Sequence, residues 1–229
     1  MFGATPEEKA YTAPFLALLA LMLLGVGIAS SYEGLLVPWY LSETRYWVNP
    51  AQTLICGFLI VKNWRYYPLA APKKPFFALG VGTLVLALWI APQEWLGFAL
   101  RHSGFNPYVF GLSGPIPWLN ITLRLLKIAV VVPFVEEIFW RGFLLRFVIN
   151  TDFTRVPFGQ FRWDSFIVVT LGFTVEHYFA DWPAAVLAGV LYNLVAYRTR
   201  SLFSCILAHA ATNLLLGLYI LRTGQWGFW

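Results

Sequence analysis

Two adjacent carboxylates and an arginine lie within the apolar segment VPFVEEIFWRGFLL, which covers residues 132–145. Placing an ionisable side chain near the centre of a bilayer costs about 2.5–3.5 kcal/mol on insertion scales, so these charges require partners. Glu137 and Arg141 are four residues apart, which puts them on one helical face at ion-pairing distance. Glu136 points about 100° away from that face. The spacing therefore predicts a structural pair of Glu137 with Arg141, and a Glu136 carboxylate that is available for chemistry.

Two later apolar segments also carry polar groups at helical spacing. Phe173 and His177 are four residues apart, as are His209 and Asn213, so each pair shares a helix face. Counted from the expected cytoplasmic helix ends, Glu136, His177 and His209 lie about 20, 18 and 12 Å deep at helical rise. Taken singly, a histidine could be a packing residue and Asn213 an interhelical hydrogen bond. Together, the matched depths predict one buried polar cavity, open towards the cytoplasmic half.

The composition is that of a polytopic membrane protein. The chain is 59% hydrophobic and 12% charged, whereas soluble globular proteins average about 25% charged residues. The net charge of +5 would suggest a nucleic-acid partner in a soluble chain, but here it indicates Lys and Arg in cytoplasmic loops, and no nucleic-acid partner is expected. Cys56 and Cys205 both lie in apolar stretches, so neither a disulfide nor a cysteine metal site is predicted.

The apolar stretches predict an all-α, polytopic bundle of seven or eight transmembrane helices. It forms a single integral membrane domain of residues 1–229, with a motif-bearing core at about 117–221. The stretches lie at about 12–30, 47–61, 76–91, 117–149, 165–180, 183–197 and 201–221. The fourth would be roughly 50 Å long, which exceeds a hydrocarbon core of about 30 Å. Pro133 is therefore expected to kink or divide it.

The remaining charged residues predict how the helices are oriented in the membrane. Lys and Arg cluster after the second, fourth and sixth stretches, which predicts a cytoplasmic N-terminus and, with seven crossings, an outside C-terminus. Arg124 and Lys127 are expected to snorkel or to mark the start of their span. Glu176 and Asp181 could simply face water at the outer end of their helix.

The three motifs EExxxR, FxxxH and HxxxN occur in this order, beginning at Glu136, Phe173 and His209. In that arrangement they resemble the CAAX protease and bacteriocin-processing family of intramembrane endopeptidases, also called Abi or CPBP. The fuller pattern FTVEH, followed by Trp182, further resembles the CAAX protease-related proteins of bacterial exosortase and PEP-CTERM systems. The resemblance covers the C-terminal half of the chain and implies a multi-pass protein of the bacterial inner membrane, in contact with membrane lipids.

The resemblance implies a role for each motif residue. In the family, the first glutamate of the first motif and the histidine of the second activate a water, which implies Glu136 and His177. The histidine and asparagine of the third motif form an oxyanion site, which implies His209 and Asn213. Supporting roles are implied for Glu137, Arg141 and Phe173. The implied substrate is a protein or peptide, and the family name suggests a prenylated CAAX tail.

Three alternatives to this interpretation stay open. No cofactor is expected, but one glutamate and two histidines also form a zinc-ligand set with an open fourth position. Against zinc, the compact HExxH signature is absent from the chain. Intramembrane Glu and His also suit a proton relay in a transporter. A non-catalytic membrane scaffold would need the Glu137 and Arg141 pair for folding, but not His209 or Asn213.

Overall fold

The structure is a computed structural model that describes residues 5–229, and within that range it contains helices and no strand. Seven main helices follow one another along the chain. They are α1 (Pro6–Ser31), α2 (Arg45–Lys62), α3 (Pro75–Trp95), α4 (Pro115–Phe147), α5 (Trp163–Val175), α6 (Trp182–Thr199) and α7 (Leu202–Thr223). The predicted all-α bundle is confirmed.

Five of these helices, α1, α3, α4, α6 and α7, are long and apolar enough to cross a membrane. The other two are shorter or more polar: α2 has 18 residues and α5 has 13. At helical rise α5 is about 20 Å long, less than a hydrocarbon core of about 30 Å. The chain is therefore an integral membrane protein in which α5 reaches only part of the way across as a straight helix.

The long helix α4 continues through Pro133 for 33 residues, so the alternative in which this proline divides the span is wrong. Pro133 directly follows a π-helical turn, and inside a continuous helix its missing N–H removes one backbone hydrogen bond. π-helical turns flank that stretch at Lys127–Val131 and Ile138–Leu144. Such turns widen the helix locally and are frequent at functional sites. The segment with the two glutamates therefore lies between two widened turns.

The loops between the helices collect at two opposite ends of the bundle. At one end, Tyr11 of α1 donates to the Tyr66 carbonyl at 2.9 Å, and the Lys73 N–H donates to Ser204 of α7 at 2.9 Å. At the other end, the Gly227 N–H near the C-terminus donates to the Arg101 carbonyl at 2.8 Å. The start of α1 and the end of α7 therefore lie at opposite ends of the bundle.

Close backbone packing holds α3 against α7. Gly82 of α3 lies so near α7 that a Cβ there would overlap the carbonyl oxygen of Ala208. The Thr212 hydroxyl donates to the Gly82 carbonyl at 2.8 Å, and the Tyr192 hydroxyl of α6 donates to Thr212 at 2.7 Å. Small residues allow this approach, as is usual between membrane helices. The contact matters for function because α7 carries His209 and Asn213.

We expect Gly82→Ala to destabilise the protein, because the added methyl group must push α3 away from the backbone of α7. Overpacking of this kind costs about 1–3 kcal/mol. Gly80→Ala is the matched control, since a Cβ at Gly80 meets nothing within 4 Å. Thermal unfolding of both variants in detergent checks the prediction, and equal melting temperatures would contradict it.

Candidate functional site

Arg141 is the centre of a fully buried hydrogen-bond network. The predicted ion pair is present: Arg141 Nη1 donates to Glu137 Oε1 at 2.9 Å, and both side chains have 0% exposure. Arg141 also reaches α6, where Nε donates to Asn193 Oδ1 at 3.1 Å and Nη2 to the Gly189 carbonyl at 3.3 Å. These contacts satisfy the guanidinium inside the bundle and join α4 to α6.

Aromatic rings enclose the guanidinium of Arg141. Its Cζ atom lies 4.9 Å from the ring centroid of Phe173 on α5 and 5.4 Å from that of Tyr192 on α6. A cation over an aromatic face is stabilised most when both groups are removed from water. Phe173 of the second motif thus packs directly against Arg141 of the first.

His209 lies between the two glutamates. Its Nδ1 atom is 2.9 Å from Glu137 Oε1, the same oxygen that binds Arg141, and its Nε2 atom is 4.0 Å from Glu136 Oε2. Because a carboxylate oxygen accepts, Nδ1 carries a hydrogen and Nε2 faces Glu136. The ring of Tyr192 stacks on the imidazole at 5.0 Å with an angle of 23°. The orientation of His209 is therefore fixed by Glu137 and Tyr192.

Glu136 and Glu176 are both shielded from water, fully or in part, by the bundle. Glu136 is only 6% exposed, and its Oε2 atom is buried with no hydrogen-bond donor against it. Glu176 is half-buried and accepts from Trp140 Nε1 at 2.9 Å. The alternative in which Glu176 simply faces water is therefore wrong. Its spacing of three residues from Phe173, on the face that also holds His177, could have revealed this position.

His177 is held in one orientation by its own helix. Its Nδ1 atom is 2.8 Å from the Phe173 carbonyl oxygen, so Nδ1 carries the hydrogen and Nε2 keeps a lone pair. The imidazole is half-buried, with the Phe173 ring at 4.8 Å and the Trp89 ring at 5.3 Å. The ring of Phe173 also contacts His209, at 6.2 Å. Phe173 thus links the two histidines.

Asn213 lies one turn beyond His209 on α7 and bonds to α4. Its Nδ2 atom donates to the carbonyl oxygen of Ile128 at 2.8 Å, within the first π-helical turn. No hydrogen bond joins its amide to Glu136 or His209 in the described part of the chain. The structure therefore groups Glu136, Glu137 and His209 tightly, and places Asn213 beside them.

Two further charged residues, Asp181 and Lys127, have contacts that the sequence did not predict. Asp181, which the sequence alone would allow to face water, forms an ion pair with Arg101 of the loop before α4. Among residues 5–229, no three His, Cys, Asp or Glu side chains are grouped as ligands of one metal ion. Lys127, expected to snorkel or to mark the start of its span, is only 9% exposed and lies inside the bundle.

We expect the two adjacent glutamates to differ in their effect on stability. Glu137→Ala leaves the buried Arg141 without its counter-ion, a loss of about 3–5 kcal/mol when one partner of a buried pair is removed. Glu136→Gln keeps the shape of the side chain and breaks no ion pair with Arg141, so its melting temperature should stay near that of the wild type. Thermal unfolding in detergent measures both. Equal destabilisation by the two variants would contradict the separate roles.

One family model matches part of the chain. Residues 117–215 match the family model described as type II CAAX prenyl endopeptidase Rce1-like. The matched range runs from the first turn of α4 into α7 and contains all three motifs. It agrees with the resemblance drawn from the motifs. No curated protein and no solved structure matches the chain.

Proposed function

Because residues 117–215 of this chain match the type II CAAX prenyl endopeptidase Rce1-like family model, we propose that this membrane endopeptidase uses a water molecule activated by Glu136 and His177. The proposal is supported by the grouping of both histidines around Phe173, at 4.8 Å for His177 and 6.2 Å for His209, with His209 4.0 Å from Glu136. An acid and imidazoles grouped inside a membrane bundle have the chemistry that peptide hydrolysis needs.

Water activation follows from the fixed orientation of these groups. His177 Nε2 has a lone pair that accepts one hydrogen of the water, since its Nδ1 hydrogen is bound to the Phe173 carbonyl. The Glu136 carboxylate accepts the proton of the attacking water as the general base. That proton then passes to the leaving amine, which yields one new carboxyl and one new amino terminus.

His209 and Asn213 stabilise the oxyanion that forms during this attack. Glu137 holds the Nδ1–H of His209 at 2.9 Å and so fixes the orientation of the imidazole; when both ring nitrogens carry hydrogen, Nε2–H donates towards the developing negative charge. Asn213 has two amide hydrogens, of which one binds the Ile128 carbonyl and the other donates to the oxyanion. Each well-placed donor of this kind is worth about 2.7–4 kcal/mol in the transition state. In this mechanism Glu137 and Arg141 act by orienting His209.

An apolar groove on the surface of the bundle suits a hydrophobic substrate. It has a volume of about 810 Å³ and is formed by side chains of α3, α4 and α7, including Ala210 and Leu214. A lipid-modified peptide fits this lining. We propose that the substrate reaches the site from the lipid, in a bacterial inner membrane, with the N-terminus of the protein in the cytoplasm.

We expect Glu136→Gln and His177→Ala each to reduce cleavage by about 10²–10⁴, the usual contribution of a general acid–base group. The assay is cleavage of a membrane-peptide library by protein reconstituted in liposomes, with cut sites identified by mass spectrometry. Glu33→Gln, an exposed glutamate between α1 and α2, is the matched control and should retain full activity. Activity that is lost with a chelator and restored by zinc would overturn the metal-free mechanism.

Asn213→Ala should lower kcat by about 10²–10³ with little change in KM, because an oxyanion donor acts mainly in the transition state. Asn213→Asp should be at least as harmful, since a carboxylate repels the oxyanion. Both variants also lose the bond to Ile128, so kinetics are measured well below their melting temperatures. Near-normal turnover in Asn213→Asp would assign Asn213 a packing role instead.

A further inference from the structure

The turn between α5 and α6 carries His177 outside both helices. It covers residues 177–181, which we call the His177 turn. The Asp181 N–H donates to the Tyr178 carbonyl at 2.8 Å, and Trp182 Nε1 donates to the His177 carbonyl at 3.1 Å. A turn lacks the continuous hydrogen bonds of a helix, so a few individual contacts determine how firmly it is held. The placement of His177 therefore depends on those contacts.

An ion pair holds the far end of the His177 turn. The carboxylate of Asp181, the last residue of the turn, accepts from the guanidinium of Arg101 in the loop between α3 and α4. The two side chains are only 12% and 20% exposed, so water screens their attraction less than that of a surface pair. Arg101 lies outside the three motifs and before the range 117–215 that matches the family model. The contact thus connects the site to a part of the chain that the motifs do not include.

Arg101 is itself fixed by the segment that follows α7. Its carbonyl oxygen accepts from the Gly227 N–H at 2.8 Å, and its own N–H donates to Gln225 Oε1 at 3.3 Å. The Cζ atom lies 4.6 Å from the ring centroid of Phe228, a cation–π contact. The two backbones are so close that a Cβ at Gly227 would come within 2.8 Å of Arg101 Cβ. Arg101 is therefore a fixed anchor, unlike a free surface arginine.

The middle of the His177 turn has little packing of its own. Tyr178 and Phe179 are 82% and 78% exposed, so their side chains do not anchor the turn in the bundle. At the start of the turn, the rings of Trp89 and Phe173 lie 5.3 and 4.8 Å from the imidazole. The turn is thus held at its two ends, by these rings and by the ion pair with Arg101. Loss of either contact would allow the imidazole to move.

We propose that Arg101 is a positioning residue for His177. Through Asp181 it holds the His177 turn in the place where the imidazole can share a water molecule with Glu136. Arg101 does not touch the reacting atoms in this account and acts only through the turn. The inference rests on the proposed function, because the position of His177 affects cleavage only if this residue helps to activate the water.

The first test measures cleavage kinetics of the full chain in liposomes, with a peptide that the wild type cuts. We expect Arg101→Gln and Asp181→Asn each to lower kcat by about 10- to 100-fold with little change in KM, because a small displacement of a reacting group costs that much. Arg101→Lys keeps a cation for Asp181 and should recover most of this loss. Arg222→Gln, which removes an exposed cation near the C-terminal end of α7, is the matched control and should keep the wild-type kcat.

The second test is NMR of the full chain in detergent, with nitrogen-15 in the histidine rings, and it needs no turnover. The chain contains three histidines, His102, His177 and His209, so each ring signal can be assigned by one substitution. We expect Arg101→Gln to shift or broaden the ring signals of His177, and Arg101→Lys to restore them. The signals of His209 should stay in place, because Glu137 holds that ring separately.

Unchanged His177 signals in both Arg101→Gln and Asp181→Asn would overturn the proposal. If those signals stay in place while the melting temperature falls, the ion pair serves the stability of the fold alone, and the proposal is also wrong. Asp181→Asn leaves the contacts of Arg101 with Gly227 and Phe228 intact, so it decides the question if Arg101→Gln does not fold. Failure of the proposed function has a different outcome. Wild-type protein that cleaves no peptide would contradict that function, and the NMR comparison would still decide whether Arg101 positions His177.

Discussion

The shared oxygen Glu137 Oε1 is the contact on which the rest of the structure depends. It lies 2.9 Å from Arg141 Nη1 and 2.9 Å from His209 Nδ1, so one carboxylate joins α4 to α7. Through Asn193 and Gly189, Arg141 extends the same network to α6. In a bilayer, apolar surface gives little drive for helix association, and polar contacts between helices carry more of the specificity. The network that assembles the bundle therefore also orients the histidine of the site.

The two π-helical turns of α4 explain how one helix can both hold the bundle together and orient the residues of the site. The first contains Ile128, whose carbonyl accepts from Asn213, and Lys127, which turns towards α2. The second begins at Ile138 and contains Arg141. In a regular α-helix the same face points towards a given neighbour along the whole length. A π-helical turn rotates that face, so different residues point towards the neighbour after the turn. Motif residues on α4 can therefore contact α7 and α6 from adjacent positions.

Much of the fold and part of the site could be predicted from the sequence. Long apolar stretches fix the helices, and the four-residue spacing of Glu137 and Arg141 fixes their pairing, because both signals are local. The common depth of Glu136 and His209 depends only on helical rise, and the structure brings these two side chains together. The position of Glu176 could not be predicted, because its hydrogen bond with Trp140 depends on how α5 packs against α4. The burial of Lys127 was missed for the same reason, since the amides that bind it belong to α2.

The proposed action of Glu137 on catalysis through His209 can be measured by a double-mutant cycle on kcat/KM. Glu137→Gln keeps the size of the side chain but removes the charge of the oxygen that orients His209 Nδ1, and His209→Ala removes the group that is oriented. We expect the double variant to be no slower than His209→Ala alone, because the two residues form one functional unit. If each substitution instead lowers kcat/KM by the same factor whether or not the other is present, the two residues act independently and the proposed coupling is wrong.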